Sequence, residues 1–146
     1  MDNRISVLHI ADKFGVGGSS VHGVSRLFSW WFPRFNTNKF KVRLVGLRES
    51  SQASRNLEEK GIEVKNLGRG KFDPLTFSDI YEEVKRGKVD ILHLHGYGAS
   101  NFGRLASLFS GVRVIIHEHF VDPSIPLYQR PADFMLGNIV DYGIAV

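Results

Sequence analysis

Apolar residues are distributed along the chain in two patterns. In some segments they form short continuous runs, which are typical of strands buried on both faces of a sheet. In others they recur every three or four positions, which predicts a helix with one apolar face. The runs predict strands at residues 5–10, 40–46, 63–67, 89–95, 112–117 and 142–146. The helical spacing predicts helices at residues 21–32, 51–60, 74–86, 101–109 and 132–140.

The alternation of strand and helix along the whole chain determines the predicted fold class. It predicts an α/β domain with a doubly wound, mostly parallel sheet, helices on both faces in three layers, and the strand order 3-2-1-4-5-6. We expect residues 1–146 to form a single domain, because this length fits one core and no linker divides it. The sequence stops inside the sixth strand, so we expect it to be the N-terminal half of a two-domain protein.

The first strand runs into a glycine-rich turn at residues 15–18, with the sequence GVGG. Glycine lets the backbone approach a ligand closely, and the N-terminus of the following helix offers unpaired N–H groups to an anion. A phosphate is the ligand that such a turn favours. Dinucleotide folds require a third glycine where this chain has Ser20, so their fingerprint is incomplete. A turn that is tight for geometric reasons alone is an equal alternative.

Single residues predict local features of the third and fourth helices. Asp73 is expected to cap the third helix, because a side-chain oxygen can accept from the first free N–H groups. Leu75, Ile80 and Val84 have the spacing of an inward-facing stripe on that helix. Ser100 is expected to cap the fourth helix in the same way as Asp73 caps the third.

Composition and charge narrow the class of protein. A hydrophobic content of 42% excludes a disordered chain, and no apolar run approaches the roughly 20 residues that span a membrane. Because the chain has no cysteine and no secretion-type leader pattern, we expect a cytoplasmic protein. The net charge of +4 favours anionic partners such as nucleotides, phosphorylated substrates or lipid headgroups. No dense basic block is present, so we expect no nucleic-acid partner.

Trp30 is expected to point away from the apolar face of the first helix, close to Trp31, Phe32 and Phe35. The interpretation that we favour is that these aromatic side chains pack beneath the next loop or against the second domain. The alternative is a peripheral contact with the inner face of a membrane, where a lipid-linked acceptor would lie.

In the predicted strand order the topological switch lies between strands one and four, and ligands bind beyond the carboxyl ends of these strands. His22, His95, His117 and His119 lie on that rim. Neutral imidazole can donate to a hydroxyl or phosphate oxygen, so we interpret His95 and His119 as ligand contacts. We expect His93 and His117 to face the opposite side of the sheet and to be core residues.

Metal and carboxylate chemistry are both disfavoured. His22 lies on a different element from the other histidines, and the chain has neither Cys nor a His-x-x-x-His pair, so we expect no metal. Glu118 and His119 should point to opposite faces of a strand, so we interpret Glu118 as structural. The chain also lacks Asp-x-Asp and the phosphate loop of nucleoside triphosphatases.

Four segments together carry a resemblance to a known family. They are residues 17–22, GGSSVH; residues 90–96, DILHLHG; residues 114–119, VIIHEH; and residues 141–146, DYGIAV. In these segments, which cover essentially the whole chain, the sequence resembles the N-terminal domain of the glycosyltransferase family-four group. The resemblance implies the GT-B architecture, in which two Rossmann-like domains face each other across a cleft. It also implies sugar transfer from a nucleotide-diphosphate donor, without a metal or other cofactor and with retention of the anomeric configuration.

The resemblance also implies roles for individual positions. Gly17 and Gly18 would line the cleft near the donor diphosphate or the acceptor, and His22 would contact substrate beside them. His119 would be the catalytic residue that approaches the transferring sugar. Residues 95–97, His95, Gly96 and Tyr97, would shape the acceptor side, which receives a sugar or a lipid-linked acceptor.

The chain departs from the family pattern in two respects. Gly23 stands where the family usually has an aliphatic residue, which puts the role of His22 in doubt. The paired glutamates of the family's Glu-x7-Glu motif belong to the C-terminal, donor-binding domain, which the chain does not contain. We therefore expect the 146-residue chain to be inactive alone.

Three other functions remain open at this point. An NAD(P)-binding oxidoreductase domain would use Glu49 as its ribose-binding acid, although the third glycine is missing. A non-catalytic α/β module could bind a phosphorylated metabolite. Half of a nucleoside-diphosphate-sugar epimerase would share the same fold.

Overall fold

The computed structural model describes residues 2–15, 23–119 and 123–145. The predicted positions of Gly17, Gly18 and His22 therefore lie outside the described residues. The strands are β1 Ile5–Ala11, β2 Phe40–Gly46, β3 Val64–Asn66, β4 Ile91–His95, β5 Arg113–Glu118 and β6 Tyr142–Ala145. The helices are α1 Gly23–Trp31, α2 Gln52–Glu59, α3 Leu75–Gly87, α4 Tyr97–Ser110 and α5 Gln129–Leu136, with a 3-10 turn at Phe32–Arg34.

The strands form one six-stranded sheet in the order β3-β2-β1-β4-β5-β6, and every neighbouring pair is parallel. The predicted α/β class and strand order are confirmed. From β1 the chain first adds β2 and β3 on one side of β1. It then returns and adds β4, β5 and β6 on the other side. This reversal places the carboxyl ends of β1 and β4 side by side, which is where ligands bind in open parallel sheets.

Helices cover the two faces of the sheet with two separate cores. On one face, α3 and α4 pack against strand residues that are almost all aliphatic. This larger core comprises Leu8, Ile10, Val45, Leu47, Ile80, Val84, Val89, Leu92, Leu94, Ala99, Ala106 and Val114. On the other face, α1 and α2 cover a smaller core of Ala11, Phe14, Val24, Phe28, Leu44, Ala53, Leu57 and Ile62.

The start of α3 differs from the prediction by one residue. Pro74 occupies the N-cap position and makes no side-chain cap, while the Asp73 carboxylate accepts from the Leu75 backbone N–H at 2.9 Å. Leu75 is 53% exposed and Thr76 is buried, because Thr76 lies four residues before Ile80, on the same face of the helix, whereas Leu75 lies five residues before it. Leu75 was thus wrongly predicted to face inward, whereas Ile80 and Val84 are buried as expected.

The start of α4 differs more from the prediction. The helix begins at Tyr97, directly after Gly96, and Gly96 is its N-cap residue, so the prediction of Ser100 as the cap was wrong. The free N–H groups of Gly98 and Ala99 are instead satisfied by the carboxylate of Asp12, at the end of β1. Capping from a residue so distant in sequence leaves no local signal at the helix start.

A polar network joins α5 to α4. The buried Arg104 guanidinium donates to Asn101 Oδ1 and Asp133 Oδ1, at 2.9 and 2.8 Å. Gln129, at the first position of α5, also donates to both oxygens and is itself buried. This network holds α5 in place by polar contacts, since large apolar side chains of α5, such as Phe134, remain exposed.

No helix in the described ranges has the length and apolar character needed to cross a membrane. Trp30 is 53% exposed, with the Arg26 guanidinium 5.0 Å from its ring centroid, as expected for a residue outside the apolar stripe. Phe32 and Phe35 both have ring contacts with His9 of β1. The neighbours of Trp30 therefore pack against the sheet and do not extend an exposed aromatic patch.

Candidate functional site at the carboxyl edge of the sheet

A cavity of about 790 Å³ opens at the carboxyl ends of β1, β4 and β5. Its floor comes from these strand ends and from the first turns of α1 and α4. Its rim comes from the loops before α3 and α5. The lining residues used below are Asp12, Lys13, Arg48, Lys71, Phe72, His95, Gly96, Tyr97, His117, Glu118, His119 and Tyr128.

Asp12 connects the two strands at the topological switch. Its backbone N–H donates to the His95 carbonyl at 3.2 Å, and its carboxylate accepts from Gly98 and Ala99 at the start of α4. Burial raises the pKa of Asp12, while the two backbone N–H groups and the charge of Arg48 oppose that rise. Asp12 thus fixes the position of α4 relative to β1.

Gly96 has a backbone conformation that other residues rarely adopt, with φ of +94°. A Cβ at this position would lie 3.0 Å from the Asp12 carboxylate oxygen. The chain can therefore turn directly from β4 into α4, and Tyr97 becomes the first residue of the helix at the cavity wall. Of the predicted acceptor-side residues, His95, Gly96 and Tyr97 all line the cavity.

Histidine side chains converge on one face of the sheet near this cavity. In the sheet register, His9 of β1 pairs with His93 of β4, and His95 pairs with His117 of β5. Paired residues in parallel strands share a face, and so do residues two apart in one strand. His9, His93, His95, His117 and His119 therefore form a row of imidazoles on the α1 face, which we call the histidine row.

The prediction that His93 and His117 face away from His95 and His119 was therefore wrong. Side chains alternate with a period of two along a strand, so His93 and His95 point the same way, as do His117 and His119. The ring centroids of His93 and His95 are 4.5 Å apart, and those of His117 and His119 are 4.1 Å apart. The prediction that His93 and His117 are buried is correct.

Hydrogen bonds link three members of the histidine row end to end. His9 Nδ1 lies 3.2 Å from His95 Nε2, and His95 Nδ1 lies 2.8 Å from His119 Nε2. Each contact needs one protonated and one unprotonated nitrogen, which a neutral imidazole provides. At the cavity wall, the His95 ring thus orients His119, and the contact with His9 holds the His95 ring in turn.

The environment of the row favours neutral imidazole. Burial, together with the neighbouring imidazoles of His117 and His119, lowers the pKa of His93 to about 4. Burial, followed by the other imidazoles, also lowers the pKa of His9 and His95 well below the usual value, and burial lowers that of His117. The imidazoles of His9, His93, His95 and His117 are therefore uncharged near pH 7.

Aromatic residues of α1 and the following turn cover the inner part of the row. The Phe28 ring lies edge-on to His95 at 4.9 Å, and Trp31 lies 6.1 Å from His93 and 5.6 Å from His117. Several ring nitrogens beneath this cover have no hydrogen-bond partner among the described residues: His9 Nε2, His93 Nε2 and both nitrogens of His117. His95, His117 and His119 line the cavity, and His119 is the least buried of the three.

The row gives a geometric basis for metal binding that the sequence analysis rejected. Two sets of three each place one nitrogen per residue within 4.8 Å of the others: His9, His93 and His95, and His95, His117 and His119. The expectation of no metal rested on His22 lying apart from the other histidines. That argument did not consider His9 and assigned His93 and His117 to the wrong face.

Glu118 and His119 both line the cavity at the end of β5. The pKa of Glu118 is influenced by Asp133 and Arg104 on the α4 and α5 side, whereas the His119 ring stacks on His117 on the α1 face, in agreement with the expectation that the two side chains point to opposite faces. Burial raises the pKa of Glu118, the nearby Asp133 adds to the rise, and Arg104 opposes it. Glu118 is a carboxyl group available to the cavity, although the sequence analysis treated it as structural.

Cations and aromatic rings form the opposite rim. Arg48, after β2, donates to the carbonyls of Arg69 and Gly70 and so holds the loop that carries Lys71. Lys71 Nζ lies 5.1 Å from the Tyr128 ring centroid and thereby joins the loops before α3 and α5. Positive charge and aromatic surface on one rim suit anionic and sugar-like ligands.

Asp12 and His9 are two residues of this region that sequence reasoning missed. Asp12 directly follows the apolar run of β1, so its place at a strand end was a usable signal. His9 lies inside that run, and only the register with His93 shows that it belongs to the row.

Comparison with known proteins decides the family. The model of Glycosyltransferase Family 4 matches residues 21–142, which is most of the chain. The chain belongs to this family. A search of curated proteins found no match to its sequence.

Solved structures of low sequence identity share the fold of this family member. The glycosyltransferase from Rickettsia africae ESF-5 is 17% identical, with a TM-score of 0.67 over 99% of the chain. HepE from Anabaena in complex with UDP is 14% identical, with a TM-score of 0.70 over 95% of the chain. The UDP-GlcNAc 2-epimerase from Neisseria meningitidis, bound to UDP-GlcNAc, is 12% identical, with a TM-score of 0.66 over 97%. The chain spans 37%, 37% and 40% of these three proteins, respectively.

Proposed function

We propose that the chain is the N-terminal, acceptor-side domain of a retaining glycosyltransferase that uses a nucleotide-diphosphate sugar, and that it is inactive alone. The observation that carries this proposal is the cavity at the topological switch, where His95 and His119 meet Asp12 and the start of α4. The family match supports sugar transfer as the reaction class.

In this proposal His119 contacts the transferring sugar, and His95 is a positioning residue behind it. The 2.8 Å contact between the two rings fixes the orientation of His119, and a neutral imidazole can exchange a hydrogen bond with a hydroxyl or phosphate oxygen. Sugar transfer requires the acceptor hydroxyl to be held against the anomeric carbon, so positioning of this kind contributes directly to rate.

The proposed acceptor is a free or lipid-linked sugar, and it would occupy the cavity beside Gly96 and Tyr97. The cations Lys13, Arg48 and Lys71 line the same cavity and would favour an acceptor or donor with phosphate groups. The transfer step as proposed uses no cofactor of the enzyme. We place the protein in the cytoplasm, with peripheral membrane contact through Trp30 if the acceptor is lipid-linked.

The nucleotide of the donor would be held mainly by a C-terminal domain. The HepE structure contains UDP and the epimerase structure contains UDP-GlcNAc, and each of those proteins is more than twice as long as the matched region. By analogy, this chain supplies one wall of a cleft whose other wall binds the nucleotide. Gly17 and Gly18 would face the diphosphate across that cleft.

The test is a chimera in which this chain replaces the N-terminal domain of a family-4 glycosyltransferase whose donor is known. The chimera is assayed with its labelled donor and a panel of sugar and lipid-linked acceptors. We expect transfer to at least one acceptor, and we expect His119→Ala to reduce it about 100-fold while donor binding is retained. The control is Glu82→Gln, which changes an exposed residue of α3 away from the cavity.

Two results would contradict the proposal. Transfer by the 146-residue chain alone would refute the two-domain requirement. Equal transfer by the chimera and its His119→Ala variant would refute the assigned role of His119.

Half of a nucleoside-diphosphate-sugar epimerase is the second candidate, because an epimerase shares the fold over 97% of the chain. The chimera and its His119→Ala variant are incubated with UDP-GlcNAc, and the products are separated by chromatography. Formation of the 2-epimer without transfer to any acceptor would favour this candidate over the glycosyltransferase.

A further inference from the structure

The outer half of the histidine row has the donor set of a transition-metal site. His95, His117 and His119 each offer one ring nitrogen, and the three nitrogens lie within 4.8 Å of one another. In a zinc site with Zn–N bonds of about 2.1 Å, neighbouring nitrogens are about 3.4 Å apart. Small side-chain rotations would bring the three rings to that geometry, because their parent strands are already adjacent and in register.

His117 provides an independent indication that a ligand is missing. Its side chain is buried, with 3% exposure, yet neither of its ring nitrogens has a hydrogen-bond partner among the described residues. A buried polar group left without a partner costs about 1–3 kcal/mol, so such groups are uncommon in folded proteins. A metal ion bound to the ring would give one of these two nitrogens a partner where the ring stands, between His95 and His119.

The chemistry of these three side chains selects the class of ion. Imidazole nitrogen suits Zn²⁺, Cu²⁺ and Ni²⁺, whereas Mg²⁺ and Ca²⁺ prefer oxygen ligands. Three imidazoles leave the fourth position of a tetrahedral ion open. We propose that His95, His117 and His119 bind a divalent transition-metal ion of the zinc type, with its open position facing the cavity.

The inner set of His9, His93 and His95 is less suitable, although its nitrogens are equally close. All three of its rings are buried, and Phe28, Trp31 and Phe32 pack over them. The outer set includes His119, which is only partly buried and lines the cavity. His95, His117 and His119 all line the cavity, whereas His9 and His93 are not among its lining residues, so an ion in the cavity can reach the outer set. The inference concerns metal binding alone and does not depend on sugar transfer.

The experiment measures metal binding by the untagged 146-residue chain. Zn²⁺ is titrated by calorimetry, and Co²⁺ is titrated by visible absorption, whose intensity distinguishes tetrahedral from octahedral sites. We expect saturation at one ion per chain, intense tetrahedral Co²⁺ bands and no binding of Mg²⁺. His117→Gln and His119→Gln should each weaken Zn²⁺ binding at least tenfold, whereas His93→Gln should change it less than twofold.

Thermal melting of each variant without metal checks that it is folded, and melting with Zn²⁺ gives a second readout. Zn²⁺ should raise the Tm of the unmodified chain and of His93→Gln but not that of His119→Gln. The proposal is overturned if Zn²⁺ binding is not saturable, or if folded His119→Gln binds as tightly as the unmodified chain. It is equally overturned if His93→Gln abolishes binding, because the ligands would then be a different set.

Discussion

The two faces of the central strands differ in how they are built. On the α3 and α4 face, Leu8, Ile10, Leu92 and Leu94 form a close-packed aliphatic core. On the α1 face, the same two strands present His9 and the imidazoles of β4, covered by aromatic rings. Consecutive residues of β4 therefore alternate between Leu and His over 92–95.

The two faces differ in how much they stabilise the fold. Burial of aliphatic side chains away from water stabilises the folded chain, and the α3 and α4 face buries mainly such side chains. Buried imidazoles need hydrogen-bond partners, and several on the α1 face lack them among the described residues. Under the proposals above, the α1 face would serve ligand binding at the cavity that the outer imidazoles line. The following changes test this contrast, from the largest expected effect to the smallest.

Truncation of neighbouring residues in β4 should give unequal losses of stability. Leu94→Ala removes a fully buried side chain that packs against Gly103 of α4, and we expect a loss of about 2–5 kcal/mol. His93→Ala, on the other face, should cost only about 1–2 kcal/mol, because it also removes an unpartnered ring nitrogen. Urea denaturation of both variants measures the difference, and equal losses would contradict the contrast between the faces.

Substitution of Gly96 should combine backbone strain with damage to the site. Gly96→Ala forces a Cβ into a backbone conformation with φ of +94° and against the Asp12 carboxylate, so we expect a loss of about 1–3 kcal/mol. Gly111→Ala, at the other end of α4, is the matched control, because its φ is +72° and its Cβ meets no atom within 4 Å. If Gly111→Ala destabilises the fold as much as Gly96→Ala, the contact with Asp12 contributes nothing to the loss of stability at Gly96.

Glu83 provides a pH-dependent test of the α3 side. Burial alone would raise its pKa, but Lys65, Arg43 and Arg86 outweigh burial and hold the pKa below its usual value of 4.5. The ion pairs therefore stabilise the fold above that pH, and the stabilisation is lost as the pH falls through the pKa of the folded chain. Glu83→Gln should cost about 1 kcal/mol at pH 7 and less below pH 4.

The control for this test is Glu82→Gln, which removes an exposed carboxylate one residue away. Its free energy of unfolding should differ from that of the unmodified chain by less than about 0.5 kcal/mol at both pH values. A deficit for Glu83→Gln that stays constant from pH 7 to below pH 4 would show that its charge is not the source of the effect.

The smallest effect is expected at Trp30. Trp30→Ala should change stability by less than about 0.5 kcal/mol, because its ring is half exposed, whereas Trp31→Ala should cost more because Trp31 covers His93 and His117. Sedimentation with anionic liposomes tests the membrane proposal on the same two variants. Binding that Trp30→Ala abolishes would support membrane contact, and binding that it leaves unchanged would remove that proposal.

The fold was predictable because its signals are local. Continuous apolar runs such as that of β1 and the helical spacing around Ile80 gave the correct elements, and their alternation gave the strand order. The ends of helices were predicted less well. Asp12 and Gly98, whose contact starts α4, are 86 positions apart, and no short window of sequence contains both.

The candidate site was predictable only in part. His95 and His119 could be placed together because each lies at the end of a strand next to the switch. The full histidine row could not be predicted, because only the register between β1 and β4 shows that His9 belongs to it. Assigning His93 to the wrong face was an error of strand periodicity, which hid the row from the sequence analysis.

Nuclear Overhauser contacts between histidine ring protons test the central claim most directly, namely that five imidazoles share one face and end at the cavity. We expect cross-peaks that connect the rings of His93 with His95, and of His117 with both His95 and His119. We also expect cross-peaks from Trp31 to His93 and His117. Rings of His93 and His117 that instead contact the leucines of the α3 and α4 core would contradict the account, because the histidine row would not exist.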